Sequence, residues 1–261
     1  MGTTDINALS LTYFLIFLVP FVFVCFKVKL NIVNKVIYSV VRMVIQLSFV
    51  GIYLKYIFDY NQPLINILYI LIMITVATFS ILNSTKLKIR NMFMPVFCSI
   101  LIPVSVMLLF FNNAIISINN IFDAKYLVTI GGMLLGNSLS GNIIALDNFY
   151  SDIKKNEKIY LYSISLGGTR IQALAPFFRK SIIASINPIV ASMATIGLVA
   201  LPGMMSGQIL GGSSPAVAIK YQIAIMLAIF FTQFFSVNLS ILFSIKMGFN
   251  DFDILKTKIF N

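Results

Sequence analysis

The chain has no histidine, no tryptophan and two cysteines, and only 10% of its 261 residues are charged. Lack of histidine removes the most usual general base near neutral pH and the commonest metal ligand. Cys25 and Cys98 both fall in apolar runs and no Cys-x-x-Cys occurs, so they read as packed thiols rather than a disulfide or redox pair. No Gly-x-x-x-x-Gly-Lys-Ser/Thr is present, so the chain has no phosphate-binding loop of its own. No metal-ligand cluster, nucleophile elbow or carboxylate pair marks an enzyme. None of the eight acidic residues lies inside a long apolar run; Asp147 is only at the edge of one. Carriers driven by protons or sodium usually need carboxylates within the membrane. If this chain moves a solute against a gradient, the energy must come from another chain.

What is present is apolar sequence. Residues of hydrophobic type make up 59% and the mean hydropathy is +0.96. A nearly uncharged run of about 18 or more residues is a span candidate. Seven such runs are predicted: 9–26, 36–58, 64–82, 92–111, 126–146, 187–205 and 216–245. The expected fold is an all-α polytopic membrane bundle of about seven helices, one domain over residues 1–261, multi-pass in the cell membrane. The flank of the first run carries Asp5 and no Lys or Arg, which argues against a cleavable signal peptide. It is read as a span, with the N-terminus outside and the C-terminus inside.

That topology explains the net charge of +11. Outside segments hold only Lys55, Lys125 and Lys220, Arg42 falls within the second span, and the other 15 of 19 basic residues are inside. This is the positive-inside pattern. Nucleic-acid binding is not needed to explain the charge. The one sizeable inside feature is 147–186.

Four places within the spans and loops carry chemistry. The first is Leu166-Gly167-Gly168-Thr169-Arg170 followed by Gln172, Ala173 and Pro176. Two glycines permit a sharp turn, Thr169 can cap a short helix 170–175, and Pro176 ends or kinks it. Such a rigid inner corner suits pressing against a soluble motor; an ordinary interfacial helix is the competing reading. The second is Pro202-Gly203-Met204-Met205-Ser206-Gly207-Gln208, a broken backbone that in a membrane belongs beside protein or a watery pathway. For Met204 and Met205, packing competes with contact to a soft cation.

The third is the fifth span, where Gly132, Gly136 and Ser140 make a face suited to close helix approach. Its polar Asn137, Ser138 and Asn142 either pack or line a route. The fourth is Arg42 with Gln46, one helical turn apart. Arg42 either snorkels to headgroups or pairs with Asp147.

These segments resemble a known family. Leu166-Gly-Gly-Thr-x-x-Gln-Ala173, Gly197-Leu-Val-x-Leu-Pro-Gly-Met-Met-Ser-Gly-Gln208 and Pro215-x-x-Ala-Ile-Lys-Tyr-Gln222 are similar to the FetB-type permeases of ABC transporters. Val41-Arg-Met-Val-Ile-Gln-Leu47 and Gly132-Met-Leu-Leu-Gly-Asn137 extend the similarity over about residues 36–230. The family usually has Glu about four residues before the Leu-Gly of the inside loop, where this chain has Tyr162.

The resemblance implies a permease homodimer carrying two copies of a cytoplasmic ABC ATPase. It also implies export of a metal ion such as iron, with ATP and Mg bound by the partner and no cofactor on this chain. Leu166–Pro176 is expected to couple to the ATPase. Gly136, Asn137, Ser138 and Pro202–Gln208 are expected to line the route. With no His, no carboxylate in a span and two packed Cys, no strong metal cage is visible in the sequence. An ATP-independent channel or carrier is the other reading, and a structural scaffold a weaker third.

Overall fold

A computed structural model describes residues 7–30, 32–116, 120–250, 252–256 and 259–260. Asp5 and Lys258, used in the topology argument, lie outside them. Among the described residues there is no strand, only isolated bridges between single residues.

The first apolar run is not one helix. It forms α1 (Ala8–Thr12), a 3-10 stretch (Tyr13–Phe17) and α2 (Leu18–Lys27). Pro20 lies in the first turn of α2, where it has no N–H to offer the carbonyl of Ile16. Then come α3 (Val33–Tyr60), α4 (Pro63–Ser84), α5 (Ile89–Phe110) with a π-helical turn at Phe111–Ile115, and α6 (Ala124–Lys155). Next are α7 (Glu157–Ser165), α8 (Arg170–Thr195), α9 (Gly203–Leu210) and α10 (Pro215–Gly248).

Five helices are long and apolar enough to cross a membrane: α3, α4, α5 with its π turn, α6 and α10. The sixth run differs most from expectation. Its apolar stretch 187–205 is not one helix: α8 begins at Arg170 and stops at Thr195, Leu198, Val199 and Leu201 are exposed loop residues, and α9 starts at Gly203. Of the two expectations for Pro176, that it ends the helix or kinks it, the first does not hold: α8 runs through both Pro176 and Pro188. A proline in a helix forgoes one hydrogen bond and forces a bend, and packing on both sides of it can hold the helix together.

The core is built from α4, α5, α6, α8 and α10, with α10 against α5, α6, α8 and α9. The reason for α10's central place is in its sequence. Thr232, Ser236, Ser240, Ser244 and Gly248 recur every fourth residue and are all buried. Small residues at this spacing let helix backbones approach closely in a membrane. Ser240 Oγ lies 2.5 Å from Ser99 Oγ of α5, and Asn142 of α6 donates to Ser236 Oγ at 2.7 Å. By contrast α3 buries no residue. It is held at its C-terminal end, where Asn61 donates to Asp123 at 2.9 Å and accepts from the N–H of Ala124 at 2.8 Å.

Candidate functional site

Half-way along α6 and α10, these two helices and α8 border an open cleft of about 140 Å³ whose rim residues, Ser140 and Ser192 among them, are exposed in the single chain. Asn137, Ser140, Gly141 and Ile144 line it from α6, Ser185, Pro188, Ile189 and Ser192 from α8, and Met226 and Gln233 from α10. Each set follows helical spacing, so each helix gives one face to the cleft. Gly141 makes the packing possible: a Cβ there would sit 2.6 Å from Gln233 Nε2 and 2.7 Å from its Cγ. Gln233 is buried and donates to the Ser185 carbonyl at 2.8 Å, joining α10 to α8. Above it, Met193, Ile196, Gln222, Ile223 and Met226 border a second cleft, so the two clefts share Met226. Gln222 Oε1 is buried there with no partner.

Of the expected route residues, Asn137 lines this cleft and Gly136 lies exposed beside it. Ser138 points elsewhere: it is fully buried, its hydroxyl unpartnered, on the side of α6 where Asn142 meets α10. Gly132 packs against Met73 of α4, while nothing lies near Gly136. The segment Pro202–Gln208 does not border the Asn137 cleft. Pro202 caps α9, which packs on α10, with Gly203 and Gly207 exposed, Met204 against the core and Gln208 Oε1 buried without a partner.

The glycine corner forms between α7 and α8. Leu166 caps α7 and Gly167 takes φ +84°, a conformation side chains rarely adopt. Gly168 is needed for a different reason: a Cβ there would meet the Ser163 carbonyl oxygen at 2.7 Å. Thr169 and Gln172 then form a capping box that starts α8, with Thr169 N–H donating to Gln172 Oε1 at 2.9 Å. Leu166 is 71% and Ile171 82% exposed, and Tyr162 is exposed too.

A contact absent from the sequence reading ties this corner down. Arg170 pairs with Asp253 of the segment after α10 and donates to the Asn250 carbonyl at 3.2 Å. Tyr160 donates to the Asp253 carbonyl at 2.6 Å, and its burial, with the nearby Asp253 charge, pushes its pKa up to about 12. The same segment reaches the α4–α5 turn, where Lys88 N–H donates to the Ile259 carbonyl at 2.7 Å. Among the described residues the ion pairs are this one and Lys180–Asp152 at 2.7 Å. Arg42 and Asp147 are both exposed and make no pair with each other. No group of three or more Cys, Asp or Glu among the described residues could hold a metal ion.

Sequence reasoning singled out the corner and Asn137 as candidates but gave no role to Gln222, Met226, Gln233, Ser185 or Ser192. Their signal was present, since Gln222, Met226 and Gln233 share one face of α10. It was hidden because amides and hydroxyls in a long apolar run carry no charge to draw the eye.

Residues 8–249 match the model of the uncharacterised protein family UPF0014. The chain belongs to the UPF0014 family. Among its relatives is the probable iron export permease protein FetB of Escherichia coli K12, 33% identical over 225 residues, 86% of this chain and 85% of that one. The UPF0014 membrane protein YjkA of Bacillus subtilis is 31% identical over 84% of this chain and 86% of its own. Protein ALUMINUM SENSITIVE 3 of Arabidopsis thaliana is 30% identical over 78% of this chain and 74% of its own. No solved structure matches the chain. The resemblance to FetB-type permeases read from the motifs is therefore upheld, and this UPF0014 member is a multi-pass membrane protein.

Proposed function

We propose that this UPF0014 protein is the membrane-spanning subunit of an ABC transporter that exports a metal ion, powered by ATP hydrolysis on a separate soluble ATPase. The observation that carries this reading is the glycine corner. It presents Tyr162, Leu166 and Ile171 to the outside at the end of the bundle that also holds Lys86, Lys88, Lys154, Lys155, Lys158, Arg179 and Lys180. Apolar side chains clustered on a surface rimmed by charge mark a binding partner. The fixed turn and capping box make the cluster a stiff lever: force on Ile171 passes into α8, whose far half borders the Asn137 cleft. The metal cargo is taken from the name of the Escherichia coli relative.

The polar outward face of the same helices supports a homodimer. Asn187, Ser192 and Thr195 of α8 and Gly136 and Ser140 of α6 are exposed in the single chain. Polar groups at membrane depth face protein or water rather than lipid. A second copy seated there would enclose the route between the two chains.

The test is a mild-detergent pull-down of the full chain from its native membrane, with mass spectrometry of the proteins recovered. A soluble protein bearing a phosphate-binding loop is expected with the parent and lost with the double variant Leu166→Asp, Ile171→Asp. Recovery of intact chain with no such protein would sink the reading in favour of an ATP-independent channel or carrier.

A further inference from the structure

We infer that the α6–α8–α10 cleft is the cargo site, and that it holds a divalent cation of borderline softness through uncharged oxygens and one thioether. This rests on the export reading for taking the ion as cargo, while the binding itself is a property of the chain alone.

The atoms that the cleft leaves free decide which guest it suits. Asn137 Nδ2 is pinned to the Met133 carbonyl at 2.9 Å and Gln233 Nε2 to the Ser185 carbonyl at 2.8 Å. A nitrogen held on a carbonyl fixes the orientation of its amide, so Oδ1 of Asn137 and Oε1 of Gln233 are the free ends. Neither oxygen accepts a hydrogen bond from a described residue.

The hydroxyls follow the same pattern. Ser140 donates to the Gly136 carbonyl at 3.2 Å, Ser185 to Ile182 at 2.8 Å and Ser192 to Pro188 at 3.0 Å. Each has spent its only hydrogen on its own helix and keeps its lone pairs. Pro188 also leaves the Ala184 carbonyl without its usual helical donor. Lone pairs therefore outnumber free donors around the cleft, and Met226 adds a polarizable sulfur.

Such a lining favours an electropositive guest. A neutral hydroxyl-rich solute brings acceptors of its own, which this cleft leaves unsatisfied at a cost. A cation needs only lone pairs. Neutral oxygens with a thioether suit borderline ions better than hard ones. With no charge in the lining the site holds its ion weakly, as a conducting site must if the ion is to leave.

The test is Co²⁺ and Mn²⁺ binding to the purified full-length chain in lipid nanodiscs without any ATPase, read by optical and paramagnetic resonance spectra, with sorbitol as the neutral arm. One saturable Co²⁺ site is expected. Asn137→Leu and Gln233→Leu should each weaken it about tenfold, and Met226→Leu should weaken Co²⁺ more than Mn²⁺. Asn137→Asp should tighten it about tenfold, because a carboxylate replaces the amide at nearly the same volume and adds a charge. A variant that only damaged packing would not gain affinity. No saturable Co²⁺ site, no gain in Asn137→Asp, or saturable sorbitol binding that Asn137→Leu abolishes would each overturn the inference. The ATPase pull-down is read separately, so either idea can fail without the other.

Discussion

A methyl group at residue 168 and one at residue 167 would do different harm, although the glycines are adjacent. At 168 the added carbon meets a backbone oxygen, Ser163 O, at 2.7 Å, and backbone cannot swing aside as a side chain can. At 167 there is open space, but φ is +84°. Strain of either kind costs on the order of 1–3 kcal/mol. Gly168→Ala is therefore expected to open the corner locally, so limited proteolysis should cut near Leu166 several-fold faster while the thermal midpoint of the bundle hardly moves. Equal cleavage rates in parent and variant would show that the corner tolerates the contact. The need for a turn here was legible as two neighbouring glycines before a capping threonine. Which glycine serves conformation and which serves clearance was not, since that depends on where Ser163 falls after α7 has formed. Gly141 is a similar case: its clearance partner, Gln233, is far away in sequence and comes near only through the packing of α6 on α10.

Elements were legible where apolar length decides them and illegible where packing does. α4, α5 and α10 lie close to their predicted runs, because a long uncharged stretch has one stable form in lipid, whereas α6 covers its run and continues to Lys155. α8 was misplaced because apolarity and helicity part company there. Its first half carries Arg170, Arg179 and Lys180, so only a short helix 170–175 separate from the span was expected there, and the apolar 197–201 stretch that extended the predicted span is loop. The segment after α10 has no apolar run to announce that it packs, yet it links the α4–α5 turn, α7 and α8 through Ile259, Asp253 and Asn250.

Tyr160 gives that link a pH signature. Its folded pKa, about 12, lies above the ordinary 10.0, so protonated phenol is the form the fold favours. The stabilisation is fully present below about pH 10 and is lost as pH rises through about 12. Amide exchange in the segment after α10 should thus be level from pH 6 to 9, after correction for intrinsic rates, and accelerate only above about 10. Tyr160→Phe should abolish that alkaline acceleration and raise exchange at neutral pH by the loss of one hydrogen bond, about 1 kcal/mol. An alkaline step that survives in Tyr160→Phe would assign it to another group.

At the scale of the whole molecule, the single chain is asymmetric in what it leaves uncovered. On α5, exposed Met94, Ile102, Val106 and Leu109 are apolar, as a lipid-facing surface should be. On α6 and α8 the uncovered residues include Gly136, Ser140, Asn187, Ser192 and Thr195, three of whose hydroxyls bond their own helix backbone. That self-satisfaction makes the face tolerable in a monomer during assembly, but gives no reason for its polarity. A twofold pairing does, since an isologous contact brings the same patch of both copies together. Single cysteines placed at Ser140 or Ser192, in a chain with Cys25 and Cys98 replaced by Ala, should then cross-link into dimers in the membrane with a short bifunctional thiol reagent. A cysteine at Val106 should not. Both thiol readouts are needed, because cross-linking at Val106 as efficient as at Ser140 would mean random collision in the bilayer. Dimers from Val106→Cys alone would place the second copy against α5, leaving the α6–α8 face to line a pathway within one chain.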